Sequence, residues 1–223
     1  MLVLMRDVVN GVGYRVCCAM SAPPTLLIVR HGQTAWNIQR KVLGRTDIPL
    51  DETGRAQAAA LPAALGVVDA VWSSPLLRAR ETASATAFEY GLPVHLDDDL
   101  VEMHQGELDG LDETQLRERF GALLADWNAA PEGLRLPGGE TMEEVQLRGL
   151  AALDRIAAAS PPTARVVVVT HQLVLAAVLC ALRNEPLRSW RSHTHRNTAW
   201  TEVRWAKPAS VLAEKVSAHL PPP

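Results

Sequence analysis

Two histidines in this sequence close apolar runs. Leu26-Leu27-Ile28-Val29-Arg30 leads straight into His31 and Gly32, and Val166-Val167-Val168-Val169-Thr170 leads straight into His171. An imidazole is a nucleophile and a proton carrier near neutral pH. Arginine accompanies both. Arg30 precedes the first histidine, and Arg78 and Arg80 follow a third apolar stretch, Ala70-Val71-Trp72, that ends in Ser73-Ser74-Pro75. Guanidinium groups hold phosphoryl oxygens through paired, charge-assisted hydrogen bonds. Histidines gathered with arginines therefore describe a phosphate site. A neutral imidazole attacks phosphorus and becomes a phosphohistidine. Neighbouring guanidinium charges keep the imidazole neutral and stabilise the oxygens of the group in transit. The expected chemistry uses no metal and no cofactor. A single histidine at a strand end is as readily structural as functional; two in the same setting, one led by arginine, carry the reading.

These residues need a scaffold that brings them together. Four segments carry a strand signal: Leu26–Val29, Ala70–Trp72, Arg165–Thr170 and the alternating Trp200–Trp205. Continuous β-branched runs suit strands covered on both faces, hence a parallel sheet between helices. Helices are expected over Glu52–Leu65 behind an Asp51 cap, Leu76–Tyr90 with Pro75 near its first turn, Glu113–Trp127 with a break at Gly121, Glu140–Ala159, and an all-round apolar Val174–Leu182. The fold expected is α/β: a three-layer α/β/α sandwich with a central, mostly parallel sheet flanked by helices. Parallel strands would place His31 and His171 on one sheet edge, the edge at which open α/β sheets bind ligands.

Composition agrees with one globular domain. The 223 residues are 48% hydrophobic and 21% charged, with a net charge of −3. Neither a nucleic-acid surface nor a polybasic membrane anchor is expected, and no apolar run reaches the roughly 20 residues of a membrane helix. Residues 1–22 read as a loosely held extension, with Met1 and Met20 as alternative starts, and residues 23–223 as a single catalytic domain. Cys17 and Cys18 are adjacent and Cys180 sits in an apolar run, so no disulfide framework is expected. That usage points to a reducing, cytoplasmic setting.

The sequence Leu27-Ile-Val-Arg-His-Gly-Gln-Thr-Ala-Trp-Asn37 resembles the signature of the histidine phosphatase superfamily, the phosphoglycerate mutase-like proteins. Further blocks follow in the family's order: Gly44–Leu50, Thr53–Gln57, Ser73–Thr82, Pro137–Glu140 and Val169–His171. Together they span about residues 25 to 205. The resemblance implies His31 as the nucleophile, with Arg30, Arg78 and His171 forming the phosphate pocket and Asn37 adding a contact. It implies Glu102 as the acid/base carboxylate, which protonates the leaving oxygen and then activates water. Such a group needs a raised pKa. Gly44, opening the second block, and Gln172 fall on the substrate side. Two departures stand out. Gln172 replaces the glycine that usually follows the second histidine; its backbone N–H remains available to phosphate. Leu43 stands where threonine or glutamine is frequent, which removes one polar contact.

Other polar residues are set apart. Arg80 is expected to pair with a surface carboxylate, and His95 and His219 to lie on the surface. His104 is not expected to touch substrate. His193 and His195 lack a third ligand for a metal; Arg191, His195 and Asn197 either line the substrate side or belong to a solvated loop. Asp97–Asp99 marks an exposed turn, and Trp36 is expected to pack beneath the catalytic loop. Three functions fit: a phosphomonoester phosphatase acting on a small metabolite, a phosphoglycerate mutase, and a non-catalytic phospholigand-binding module. Glu102 and His171 are only 69 positions apart. The superfamily's mutases resemble a longer plan there, with an inserted helical cover, so hydrolysis is favoured. Substrate choice is assigned to 103–140 and 190–197, with Arg135 and Arg191 as candidates for a second anion. A homodimer is compatible with the sequence.

Overall fold

The computed structural model describes residues 22–221. The expected N-terminal extension up to residue 21, with Cys17, Cys18 and both candidate starts, lies outside the described residues.

Strand β1 (Thr25–Arg30) is the centre of a six-stranded sheet. Its neighbour on one side is β4 (Arg165–Thr170), followed by β2 (Ala70–Ser73) and the short β3 (Val94–Leu96). On the other side are β5 (Trp200–Arg204) and β6 (Ser210–Val216). The β3-β2-β4-β1 portion is parallel; β5 runs antiparallel to β1, and β6 runs antiparallel to β5 and so in the direction of β1. The mostly parallel sheet is therefore as expected. Strand β6 was not foreseen. It is an edge strand of mixed polarity carrying Glu214 and Lys215, so it lacks the apolar run that marks the interior strands.

Alternate residues of β1 and β4 face opposite layers. Leu26, Ile28, Val166 and Val168 pack against α5 (Met142–Ala159) and α6 (Gln172–Leu182). Leu27, Val29, Val167 and Val169 pack against α2 (Glu52–Leu65) and α3 (Leu77–Tyr90). Because both strand faces are buried, their sequences are uninterrupted apolar runs. A third apolar cluster lies under the segment from Met103 to Leu136, where Met103, Trp127 and Leu136 meet Met142, Val174 and Leu187.

The helix ends follow local chemistry. Asp51 caps α2 by accepting from the Gly54 N–H. Thr141 and Glu144 form a capping box on α5, which starts two residues later than the Glu140 expected. Pro75 lies near the first turn of α3, directly before the N-cap Leu76, which keeps extended backbone. Helix α4 (Glu113–Ala129) kinks at Phe120, next to the Gly121 break expected. A four-residue helix, α1 (Ala35–Ile38), follows the first histidine; it is too short to carry a periodic signal.

Candidate active site

Arg30 of β1 pairs with Thr170 of β4, and the His31 N–H continues the ladder to the Thr170 carbonyl at 3.0 Å. His31 and His171 thus leave adjacent parallel strands at the same level. Their ring centroids are 5.1 Å apart. Both are buried.

The protonation pattern of His31 follows from its partner. Nδ1 lies 2.7 Å from the Gly32 carbonyl, which can only accept, so Nδ1 carries the proton and Nε2 keeps its lone pair. Burial, then the charges of Arg78 and Arg30, hold its pKa well below the usual histidine range. Gly32 is required beside it. A Cβ there would sit 2.7 Å from the Gly54 carbonyl oxygen, and the Gly32 N–H donates to Thr82 Oγ1 at 2.9 Å.

Arg78, in the first turn of α3, is fully enclosed. Its guanidinium donates to the Thr46 carbonyl at 2.9 Å and the Gly44 carbonyl at 2.7 Å. Burial lowers its pKa, while the carboxylates of Glu102, Asp47 and Asp109 oppose that shift. Arg30 donates to the His195 carbonyl at 2.5 Å. Burial brings its pKa down to about 10, so it stays charged at pH 7. Within each guanidinium, Nε is buried and has no hydrogen-bond partner among the described residues.

His171 is the N-cap of α6, and its Nε2 meets Ser74 Oγ at 2.8 Å. Ser74 Oγ already accepts from the Leu76 N–H, which leaves its hydroxyl proton free for Nε2. Burial, then Arg78 and His31, keep this imidazole neutral as well. Its Nδ1 is a further buried atom with no partner among the described residues. Glu102 is 4% exposed. One carboxylate oxygen accepts from the Met103 N–H at 2.8 Å and the other from the Leu173 N–H at 3.2 Å. Burial nonetheless raises its pKa, outweighing those bonds and the nearby Arg78 and Arg148 charges.

Asn37 Oδ1 accepts from the Thr34 N–H at 3.1 Å and from Asn197 Nδ2 at 3.3 Å, so its amide N–H2 is the group left for a ligand. Gln172 Oε1 accepts from the His195 N–H at 3.0 Å. That bond fixes the amide orientation and leaves Gln172 Nε2 buried without a partner among the described residues. Both side chains line a cavity of about 370 Å³ together with Arg30, His31 and Glu102. The Gly44 N–H donates to Asp109 Oδ1 at 2.8 Å and its carbonyl accepts from Arg78, so it positions Arg78. A Cβ there would come within 2.8 Å of the Gln105 side chain.

The segment before β5 is not a solvated loop. His193 and His195 are buried, with His193 between Glu185 and Glu214, and His195 between its neighbour's carbonyl and Thr201. Asn197 donates to the His31 carbonyl at 2.9 Å, and Arg191 lines the cavity. This segment supports Arg30, His31, Asn37 and Gln172, a role its polar sequence did not reveal. Ser74 and Thr82 were also missed as supports; both lie in the block that carries Arg78. Arg80 forms no ion pair among the described residues, contrary to expectation. His219 is half-buried against Trp200 and meets Thr198 Oγ1, so it is not a surface residue. Asp97 and Asp99 pair with Arg155. Among the described residues, no group of three His, Cys, Asp or Glu side chains is arranged to hold a metal, and no helix is long and apolar enough to cross a membrane.

Comparison with known proteins agrees with this arrangement. The sequence profile of the histidine phosphatase superfamily (branch 1) matches residues 26–216. A glucosyl-3-phosphoglycerate phosphatase of Mycobacterium tuberculosis is 34% identical over 197 residues, covering 81% of this chain and 86% of its own. A 2,3-bisphosphoglycerate-dependent phosphoglycerate mutase 2 of Gloeobacter violaceus is 34% identical over 164 residues, covering 70% and 74%. The solved structure of Bacillus stearothermophilus YhfR superposes with a TM-score of 0.83 at 30% identity, covering 88% of this chain and 98% of that one. Ordered motifs, sheet topology and paired strand-end histidines converge on one assignment: this chain belongs to the histidine phosphatase superfamily.

Proposed function

We propose that the protein is a phosphomonoester phosphatase working through a phosphohistidine on His31. The observation that carries this reading is the state of His31: a neutral imidazole with its Nε2 lone pair free, held between Arg30 and Arg78. In the first step Nε2 attacks phosphorus and the bond from phosphorus to the ester oxygen breaks. Arg30, Arg78, Asn37 and the Nδ1–H of His171 hold the phosphoryl oxygens. Glu102, whose pKa burial raises, gives its proton to the departing alkoxide. In the second step the Glu102 carboxylate takes a proton from water, the water oxygen bonds to phosphorus, and the N–P bond returns its electron pair to Nε2. The sum is ester plus water giving alcohol plus phosphate. Arginine supplies the positive charge, so the scheme calls on no metal.

Hydrolysis is preferred to mutase chemistry because the walls beyond the phosphate pocket are mostly apolar, which supports release of the product rather than retention of a second anionic group. Phosphate release from a phosphomonoester panel, with His31→Ala as the blank, tests the reading. The expected result is turnover that disappears in the variant, with a phosphoenzyme trapped on His31 in the wild type. Interconversion of phosphoglycerates without phosphate release would replace it with the mutase reading.

A further inference from the structure

The cavity lined by His31 joins the polar groups already described to an apolar wall of Val42, Leu43, Leu116, Leu124, Trp127 and Leu136, and Lys41, Gln105 and Asn128 also line it. Leu43 stands where the family often has a polar residue, and here it extends the apolar wall. The exposed Arg191 of the lining stacks on Trp190 at 4.3 Å and is hydrogen-bonded to Asn128, so its guanidinium is held in place by neutral partners. Arg135, the other candidate for a second anion, is paired with Glu144 at the surface. Two donors in this cavity are buried without partners among the described residues: Gln172 Nε2 and Trp190 Nε1.

We infer that the substrate is the phosphate ester of a predominantly apolar alcohol, alkyl or aryl, bearing an acceptor oxygen for the Gln172 amide. This rests on the phosphatase reading for turnover, though not for binding. A polyol such as a sugar would set several hydroxyls against aliphatic and indole walls, where more of them would lose water than the few polar lining groups could satisfy. An apolar body loses only its hydrophobic hydration there. The apolar wall is continuous with the phosphate pocket, so one molecule occupies both.

The test is a homologous series with the same leaving-group chemistry. Methyl to hexyl phosphate and glucose 6-phosphate are all esters of primary alcohols. kcat/KM is expected to rise about threefold to fourfold per methylene over the first carbons, placing hexyl phosphate well above glucose 6-phosphate. Leu124→Asn and Leu116→Asn, at half-buried positions that tolerate a polar group, are expected to flatten that slope. A parallel calorimetric series of alkylphosphonates reads binding without turnover. A flat phosphonate series, or glucose 6-phosphate exceeding hexyl phosphate, would overturn the inference even if phosphate release depends on His31. A rising phosphonate series without any phosphate release would uphold the apolar cavity and reject the phosphatase reading instead.

Discussion

Replacing Arg78 by methionine removes the charge while keeping an unbranched apolar stem in a closed space. The carbonyls of buried Gly44 and exposed Thr46 then lose their donor, and only the Thr46 one can turn to water. An orphaned buried acceptor costs about 1–3 kcal/mol. Asp47 and Asp109 also lose a counter-charge, while relief from burying a guanidinium works the other way. A net loss of about 1–3 kcal/mol follows, or a fall in Tm of roughly 2–12 °C at 2–4 °C per kcal/mol. A domain of ordinary stability survives this at low temperature. Catalysis should suffer separately. Losing one preorganised donor to the transferring phosphoryl group costs about 10²–10³ in kcat. Arg78 is also the largest nearby charge lowering the His31 pKa. Without it that pKa rises, more imidazole is protonated at a given pH, and the acid limb of the rate profile moves to higher pH. Arg78→Lys restores charge without the fork and should recover part of the rate. Urea midpoints, kcat and the pH profile measure these effects. A methionine variant with kcat within tenfold of wild type and an unmoved acid limb would refute the role given to Arg78.

Glu102→Gln should slow alkyl phosphates far more than p-nitrophenyl phosphate, whose leaving group needs little protonation; equal slowing in steady-state assays would remove the acid role. His31 and His171 are buried neutral with lowered pKa values. Below the unfolded histidine pKa of about 6.5 the unfolded chain binds more protons, so stability should fall as pH drops from 7 to 5. His31→Asn should shrink that fall in urea midpoints. Gly106→Ala forces a Cβ to 2.0 Å from the Pro137 carbonyl oxygen at a φ of +55°. A loss of at least about 2 kcal/mol is expected in thermal melts. Chelators should leave the rate unchanged, and activity lost to EDTA and restored by a divalent ion would contradict the arginine-only scheme.

Much of this molecule was legible before any coordinates. β1 and β4 announce themselves because strands covered on both faces need uninterrupted apolar residues, and a histidine ending each run marks the sheet edge. Glu102 was placed by its surrounding motif alone; nothing in its own spacing distinguishes it from a surface glutamate. The polar segment from His193 to Asn197 could not be told from a solvated loop because its burial depends on partners distant in sequence, Glu214, Thr201 and Gln172 among them. Edge strand β6 escapes because half its residues face solvent. The support that Gly44 gives Arg78 was not legible, since a motif gives membership of a site, not the direction in which a carbonyl points.

The alignment of Arg30 with Thr170 across the β1–β4 ladder bears on motion as well as geometry. The spacing of the two imidazoles is set by main-chain bonds between neighbouring interior strands, not by loops. Loops and α4 can therefore shift without changing the distance between the rings. The relative placement of His31 and His171 is fixed when the sheet forms, before any ligand arrives.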